Sequence, residues 1–285
     1  MTVTRRAVLA GTGAVGLAGA TGCVGRTDRE SVSVLAAGSL ARAFDERLRP
    51  RVDAPLELEF HGSAVCARLV AEGLRDPDVL VLADPALFAG LADRYTAFAT
   101  NEVVVAYDPA RPGGRAVRDS ARPFDPFLDR DLPWGRTDPD ADPLGYRTVF
   151  ALRLAASLWG RPYATALDAG RVIPEAELLA VFAAGELDAA VVYRNMALDH
   201  GVAYRRLPPT VNLGSPAHAA AYADHRYELP DGTTVVGAPV SYGAVARRDD
   251  PAVAAAFRTL VAGEWTGDAF GVPATYPRVE PVASR

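Results

Sequence analysis

The chain has 285 residues, 49% of them apolar, and a formal charge of −5 at neutral pH. That length suits one large or two medium domains with buried cores. The acidic balance, with no basic stripe, argues against a nucleic-acid partner, although every basic residue is an arginine.

The chain opens with an address. Thr4-Arg5-Arg6-Ala7-Val8-Leu9 is a twin-arginine pattern, an apolar run follows from Ala7 to Ala20, and Ala20-Thr21-Gly22-Cys23 places a cysteine after small residues. The run is short for a bilayer span and has the flanks of an export signal. Residues 1–23 are therefore expected to direct export, with Cys23 becoming the lipidated first residue of a membrane-anchored, extracytoplasmic protein. Gly11-Thr12-Gly13-Ala14-Val15-Gly16 fits the dinucleotide fingerprint, but no strand precedes it and it lies inside the signal, so it is discarded. Residues 24–30 read as a polar tether.

Ser33–Ala37 reads as a short buried strand that breaks at Gly38, caps at Ser39 and runs into a helix. Leu56–Phe60 alternates like a strand, and His61-Gly62-Ser63 opens a second helix over Ala64–Gly73. A Gly-Ser helix start lets the backbone turn tightly and leaves first-turn N–H groups unpaired, which suits an anion. Two such starts on neighbouring parallel strands converge at one sheet edge. Asp78–Leu82 is a third strand, ending in Ala83-Asp84-Pro85, and Asn101–Tyr107 a fourth that leads elsewhere. Residues 108–145, rich in Pro, Gly, Asp and Arg, read as loop with one short helix near Pro126–Asp129. Next come helices over Tyr146–Trp159, started by Asp142-Pro143, and Glu175–Ala184, then a buried strand Ala189–Tyr193. A loop-rich stretch Tyr204–Tyr227, strands over Thr234–Ala246 and a helix from Pro251 to about Trp265 complete the chain. The order suggests one lobe (31–100 plus 245–285), a crossing to a second (101–244), and a return.

Few residues announce chemistry. Asp138-Pro139-Asp140-Ala141-Asp142 resembles a calcium loop, but Pro143 stands where the turn glycine is needed and Val149 where the bidentate glutamate belongs. Asp142 reads as a helix N-cap with Pro143 at the first helical position, and Glu175 as a first-turn acid favoured by the helix dipole. His61, His200, His218 and His225 lack zinc-type spacing. Neither Ser39 nor Ser63 sits in G-x-S-x-G. No nucleophile–base pair is visible, so an enzyme is not expected. Cys66 is expected to pack as a small hydrophobe without a disulfide, and Trp134, Trp159 and Trp265 to pack in cores.

The ordered set of short motifs carries more. Ala37-Gly38-Ser39-Leu40, Gly62-Ser63-Ala64-Val65-Cys66-Ala67-Arg68, Asp78-Val79 with Ala83-Asp84, and Asn101–Tyr107 come first. Asp142-Pro143-Leu144-Gly145-Tyr146-Arg147, Pro174-Glu175-Ala176-Glu177-Leu178, Gly185-Glu186-Leu187-Asp188, Tyr193, Gly237-Ala238-Pro239 and Tyr242-Gly243 follow. Together they resemble the molybdate/tungstate-binding proteins of ABC importers, most of all the archaeal-type ModA/WtpA branch, over roughly Ser33–Phe270.

The resemblance implies a two-lobed α/β, type II periplasmic-binding-protein-like fold. Each lobe would be an open, mostly parallel sheet flanked by helices, with the ligand between lobes. It implies ligand-binding roles for Ser39, Ser63 and Tyr193, and for Asp142 and Glu175 approaching the Mo or W centre of the bound oxyanion. Glu177 is the alternative second carboxylate. It further implies no cofactor beyond the transported ligand, a membrane permease as partner and a monomeric chain. His61 departs from the small residue usual before Gly-Ser and either donates to the ligand or narrows the cleft; the segment between Trp159 and Val172 is short for the branch. Sulfate and phosphate, whose tetrahedral centres gain nothing from a carboxylate, define the competing reading; an exported enzyme and a structural surface lipoprotein are the remaining ones.

Overall fold

The computed structural model describes residues 31–129 and 131–283; the segments read as export signal and tether, with Cys23, lie outside the described residues. Strand β1 (Val32–Ala37) is buried along almost its whole length, as an apolar run flanked by paired strands must be. It leads through a 3-10 turn (Gly38–Leu40) into the short helix α1 (Ala41–Ala43), then a π-helical turn (Phe44–Leu48) and a 3-10 turn (Arg49–Arg51). No side chain caps that first turn, so Ser39 is not the expected cap. Strand β2 (Leu56–His61) lies parallel to β1, Val32 opposite Leu56 and Ala37 opposite His61. Helix α2 (Ser63–Ala71) begins at Ser63 itself. β3 (Val79–Leu82) pairs with the other side of β1, again parallel, and β4 (Arg94–Thr100) closes this part of the chain.

The chain then crosses into β5 (Val103–Tyr107). Next comes a helix the composition hid: α3 (Pro112–Asp119), with Pro112 in its first turn. Its glycines are needed for packing, since a Cβ on Gly114 would sit 1.9 Å from the Asp108 carbonyl oxygen. A 3-10 turn (Asp125–Leu128) and strand β6 (Trp134–Arg136) follow. Then come α4 (Pro143–Trp159), β7 (Arg171–Val172), α5 (Glu175–Ala183), β8 (Ala189–Tyr193), α6 (Arg194–Asp199) and β9 (Tyr204–Arg206). Helix α7 (Ala219–Ala223) precedes a small ribbon of β10 (Arg226–Glu228) and β11 (Thr234–Val236). The return is made by β12 (Ser241–Ala246), then α8 (Pro251–Ala262) and β13 (Arg278–Pro281). Helix α8 stops short of Trp265 because Gly263 takes a left-handed conformation at its end (φ 74°).

Two sheets result. One has the order β13-β4-β12-β3-β1-β2, the other β7-β6-β8-β5-β9. Both are mixed rather than mostly parallel. The β1 pairings are parallel, but β12 and β4 run antiparallel to their neighbours because they carry the chain out of and back into the first sheet. β12 already belongs to the first sheet at Ser241, ahead of 245. Each lobe has its own aromatic core. Trp265 packs edge-on against Phe44 (5.1 Å between centroids) and Phe270 (5.7 Å) in one; in the other, Phe127 packs at a tilt against Trp134 (4.8 Å) and edge-on against Phe124 (5.4 Å).

Asp250 starts α8 by accepting from the Ala252 and Val253 amides at 2.7 and 3.1 Å. Removing that cap in Asp250→Ala should cost about 1 kcal/mol in a urea unfolding titration; an unchanged midpoint would show that the helix end is held by packing alone.

Candidate functional site

The adjacent carboxyl ends of β1 and β2 turn at Gly38 and Gly62 and deliver Ser39 and Ser63, both buried, to the boundary between lobes. The Ser63 hydroxyl accepts from the Ala83 amide (3.0 Å), and the Ser39 hydroxyl accepts from the Tyr242 hydroxyl (3.2 Å), which is itself held by Asn101 Nδ2 (3.2 Å). With an acceptor role filled, each serine keeps its O–H to donate. Tyr193 repeats the pattern: its buried hydroxyl accepts from Arg147 Nη1 (2.7 Å), leaving its own proton free to give.

The opposite lobe supplies the carboxylates. Asp142 is the N-cap of α4, its Oδ1 accepting from the Gly145 amide (3.0 Å) and the Thr137 hydroxyl (2.8 Å). Glu175 is the first residue of α5, and its Oε2 accepts from the Ser39 amide across the boundary (3.0 Å). Asn195 Nδ2 donates to the Ser39 carbonyl (2.7 Å), and the Val65 amide in the first turn of α2 donates to the Ala141 carbonyl (3.2 Å). The two glycines make this approach possible: a Cβ on Gly38 would lie 2.9 Å from Glu175 Oε2, and one on Gly62 only 2.4 Å from the Ala141 oxygen and 2.5 Å from Asp142 Cβ. A shallow cavity of about 40 Å³ borders Gly38, Ser39 and Glu175.

Electrostatically this is an uncomfortable place. Burial pushes the Asp142 carboxyl up to about 7, against the opposing pull of Thr137 and the first-turn amides. Burial, and then the charge of Asp142, hold Glu175 well above the usual carboxylate range, although Ser39 and Arg147 favour its ionised form. Glu175 Oε1 is buried without a hydrogen-bond partner. A buried carboxylate oxygen in that state carries a desolvation cost that only a further donor or an electrophile offsets.

The structure thus brings Ser39, Ser63, Asp142 and Glu175 to one interlobe boundary and sets Tyr193 beside Arg147. Glu177 is exposed, whereas Glu175 is buried. His61 pairs with Glu59 (2.8 Å), which Arg75 also holds (2.8 Å), and forms no polar contact with these residues. Cys66 is buried against the Ala36 and His61 carbonyls, and burial pushes its thiol up to about 12. Among the described residues no cluster of His, Cys, Asp and Glu has the makeup to hold a free metal ion. Sequence reasoning left Asp84, Thr137, Arg147, Asn195 and Tyr242 without roles. The one available signal was Arg147, a charge set among apolar neighbours on α4.

Residues 32–270 match the family described as bacterial extracellular solute-binding protein. The chain belongs to that family. A Haloferax volcanii relative, named as an ABC-transporter molybdenum-binding protein, is 48% identical over 96% of this chain and 93% of its own length. The molybdate/tungstate-binding protein WtpA of Thermococcus kodakarensis is 27% identical over 68% of this chain and 64% of its own. In fold, the sulfate-binding protein SubI of Mycobacterium tuberculosis superposes with a TM-score of 0.52 at 16% identity, covering 86% of this chain and 87% of that one. As a member of an extracellular solute-binding family the chain is a binding protein and not an enzyme.

Two outcomes are expected. Gly62→Ala should hold the lobes apart, giving a larger radius of gyration by small-angle scattering with an unchanged circular dichroism spectrum; an unchanged radius would contradict the need for close approach. A carboxyl whose pKa is higher folded than unfolded binds its proton more tightly when folded. The stability of the ligand-free wild type relative to Asp142→Asn should therefore fall as pH rises from the ordinary value of 3.8 to about 7. A melting-temperature difference between the two that stays constant or grows in favour of the wild type across this window would contradict the assignment.

Proposed function

We propose that this chain captures molybdate or tungstate outside the cytoplasm and presents it to the permease of an ABC importer. The observation that carries the reading is Glu175 Oε1, buried and unpartnered beside the equally buried Asp142. A site for a saturated tetrahedral dianion gains nothing from two carboxylates, since like charges at short range in a dry boundary cost several kcal/mol. A Mo(VI) or W(VI) centre is a hard electrophile with room for two further oxygen ligands, and hard oxygen donors suit hard centres. Asp142 and Glu175 would complete six-coordination, while Ser39, Ser63 and Tyr193 donate to the oxo groups. The names of the Haloferax and Thermococcus relatives support the same solute class.

Binding would stabilise the closed arrangement of a lobe formed by residues 31–100 and the chain from Ser241 onward against a lobe formed by the residues between, and the permease would read that arrangement. Export through the twin-arginine segment, lipid attachment at Cys23 and a monomeric state belong to the same proposal.

Calorimetric titration of the protein lacking residues 1–23 with molybdate, tungstate, sulfate and phosphate tests it. Tight binding of the first two alone is expected, with a loss of about 100-fold or more in Asp142→Ala. Tight sulfate or phosphate binding, or an unimpaired Asp142→Ala, would refute the role given to the carboxylates.

A further inference from the structure

Arg147 is buried to 2% exposure, on the second turn of α4, and it touches both lobes. From its own lobe it holds the Tyr193 hydroxyl through Nη1 (2.7 Å). Across the boundary the same Nη1 donates to the Ala83 carbonyl (2.8 Å) and Nη2 donates to Asp84 Oδ2 (3.0 Å). Asp84 is fully engaged: the neighbouring Tyr146 hydroxyl donates to Oδ2 (2.7 Å), and Oδ1 accepts from the Ala86 amide (3.0 Å). The Tyr146 and Tyr193 rings lie 5.8 and 5.9 Å from the guanidinium carbon.

The connectivity reaches the candidate ligand groups. The Ala83 peptide whose carbonyl Arg147 holds presents the next amide upstream to Ser63 Oγ (3.0 Å). Asp142 caps the helix that carries Arg147. One side chain is therefore tied to Tyr193 directly, to Ser63 through Ala83, and to Asp142 through a single helical turn. A buried ion pair contributes little net stability over an apolar pair of the same shape. What it adds is geometry, because the planar fork fixes two directions at once where an ammonium would be a point charge. Its charge is matched by Asp84, so Arg147 is not a spare counter-ion for the solute.

We propose that Arg147 is a positioning residue that, through its pairing with Asp84 across the lobe boundary, sets the ligand groups of the two lobes in register and slows release of the bound oxyanion. The inference rests on the reading of this boundary as an oxyanion site.

Affinity and dissociation rate for molybdate and tungstate, with sulfate and phosphate as controls, test it in the wild-type protein, Arg147→Lys, Asp84→Asn and the double variant. Each single variant should lose about 10-fold or more in affinity, carried by faster dissociation. The double variant should be no worse than the weaker single, since the two residues act as one unit. A melting temperature that falls while affinity and dissociation stay within about twofold, or losses that add, would overturn the proposal and leave a structural role only. Wild-type binding with unaltered variants refutes the Arg147 role alone. Wild-type silence toward all four oxyanions refutes the oxyanion reading, and the Arg147 role with it.

Discussion

The fold is arranged so that two carboxylates from one lobe, Asp142 and Glu175, are buried against two serine turns of the other. Burial raises both carboxyls, and the charge of Asp142 raises Glu175 further. The surroundings are built to hold them nonetheless. A helix start stands behind each acid, Thr137 and Gly145 donate to Asp142, and the Ser39 amide donates to Glu175. Under the proposed function, part of the compensation for this burial would come from outside the chain.

Several of the polar contacts between the lobes involve the candidate site residues and their immediate neighbours. Ser39 offers its amide to Glu175 and its carbonyl to Asn195 across the boundary, while within its own lobe its hydroxyl accepts a hydrogen bond from Tyr242. Arg147 reaches Ala83 and Asp84. Farther along the boundary, Arg47 pairs with the nearly buried Asp199 (2.8 Å), so an arginine of each lobe meets an aspartate of the other. Under the proposed function, closing the lobes and assembling the donors would be one event, and solute capture would become a shape that a partner recognises.

Much of this was legible in the chain. The runs Val34–Ala37 and Val79–Leu82 are apolar throughout and bounded by turn residues, so their places in a sheet follow from pattern alone. The reading of Asp142 as an N-cap is correct, and the cap is also what places the aspartate at the boundary, where the proposed function makes it a ligand group as well. Burial separates Glu175 from Glu177, which spacing could not. Helix α3 was hidden because Gly113 and Gly114 read as loop, when they are small in order to pass the Asp108 and Asp188 main and side chains. The role of Arg147 was invisible because its partner Asp84 is 63 residues away in sequence, and a single chain carries no local sign of such a pairing. The antiparallel strands β4 and β13, on the far side of the first sheet, escaped for the same reason: their pairing is set by tertiary contact, with Pro281 ending the edge.

The central claim is that Asp142 and Glu175 bind the metal centre of the solute rather than its surface oxygens. X-ray absorption at the molybdenum or tungsten edge of the loaded protein addresses it directly. Six oxygen neighbours, four short oxo bonds and two longer carboxylate bonds that vanish in Asp142→Ala and Glu175→Gln, is the predicted result. A regular four-oxygen shell, the same as that of the free oxyanion, would contradict the account.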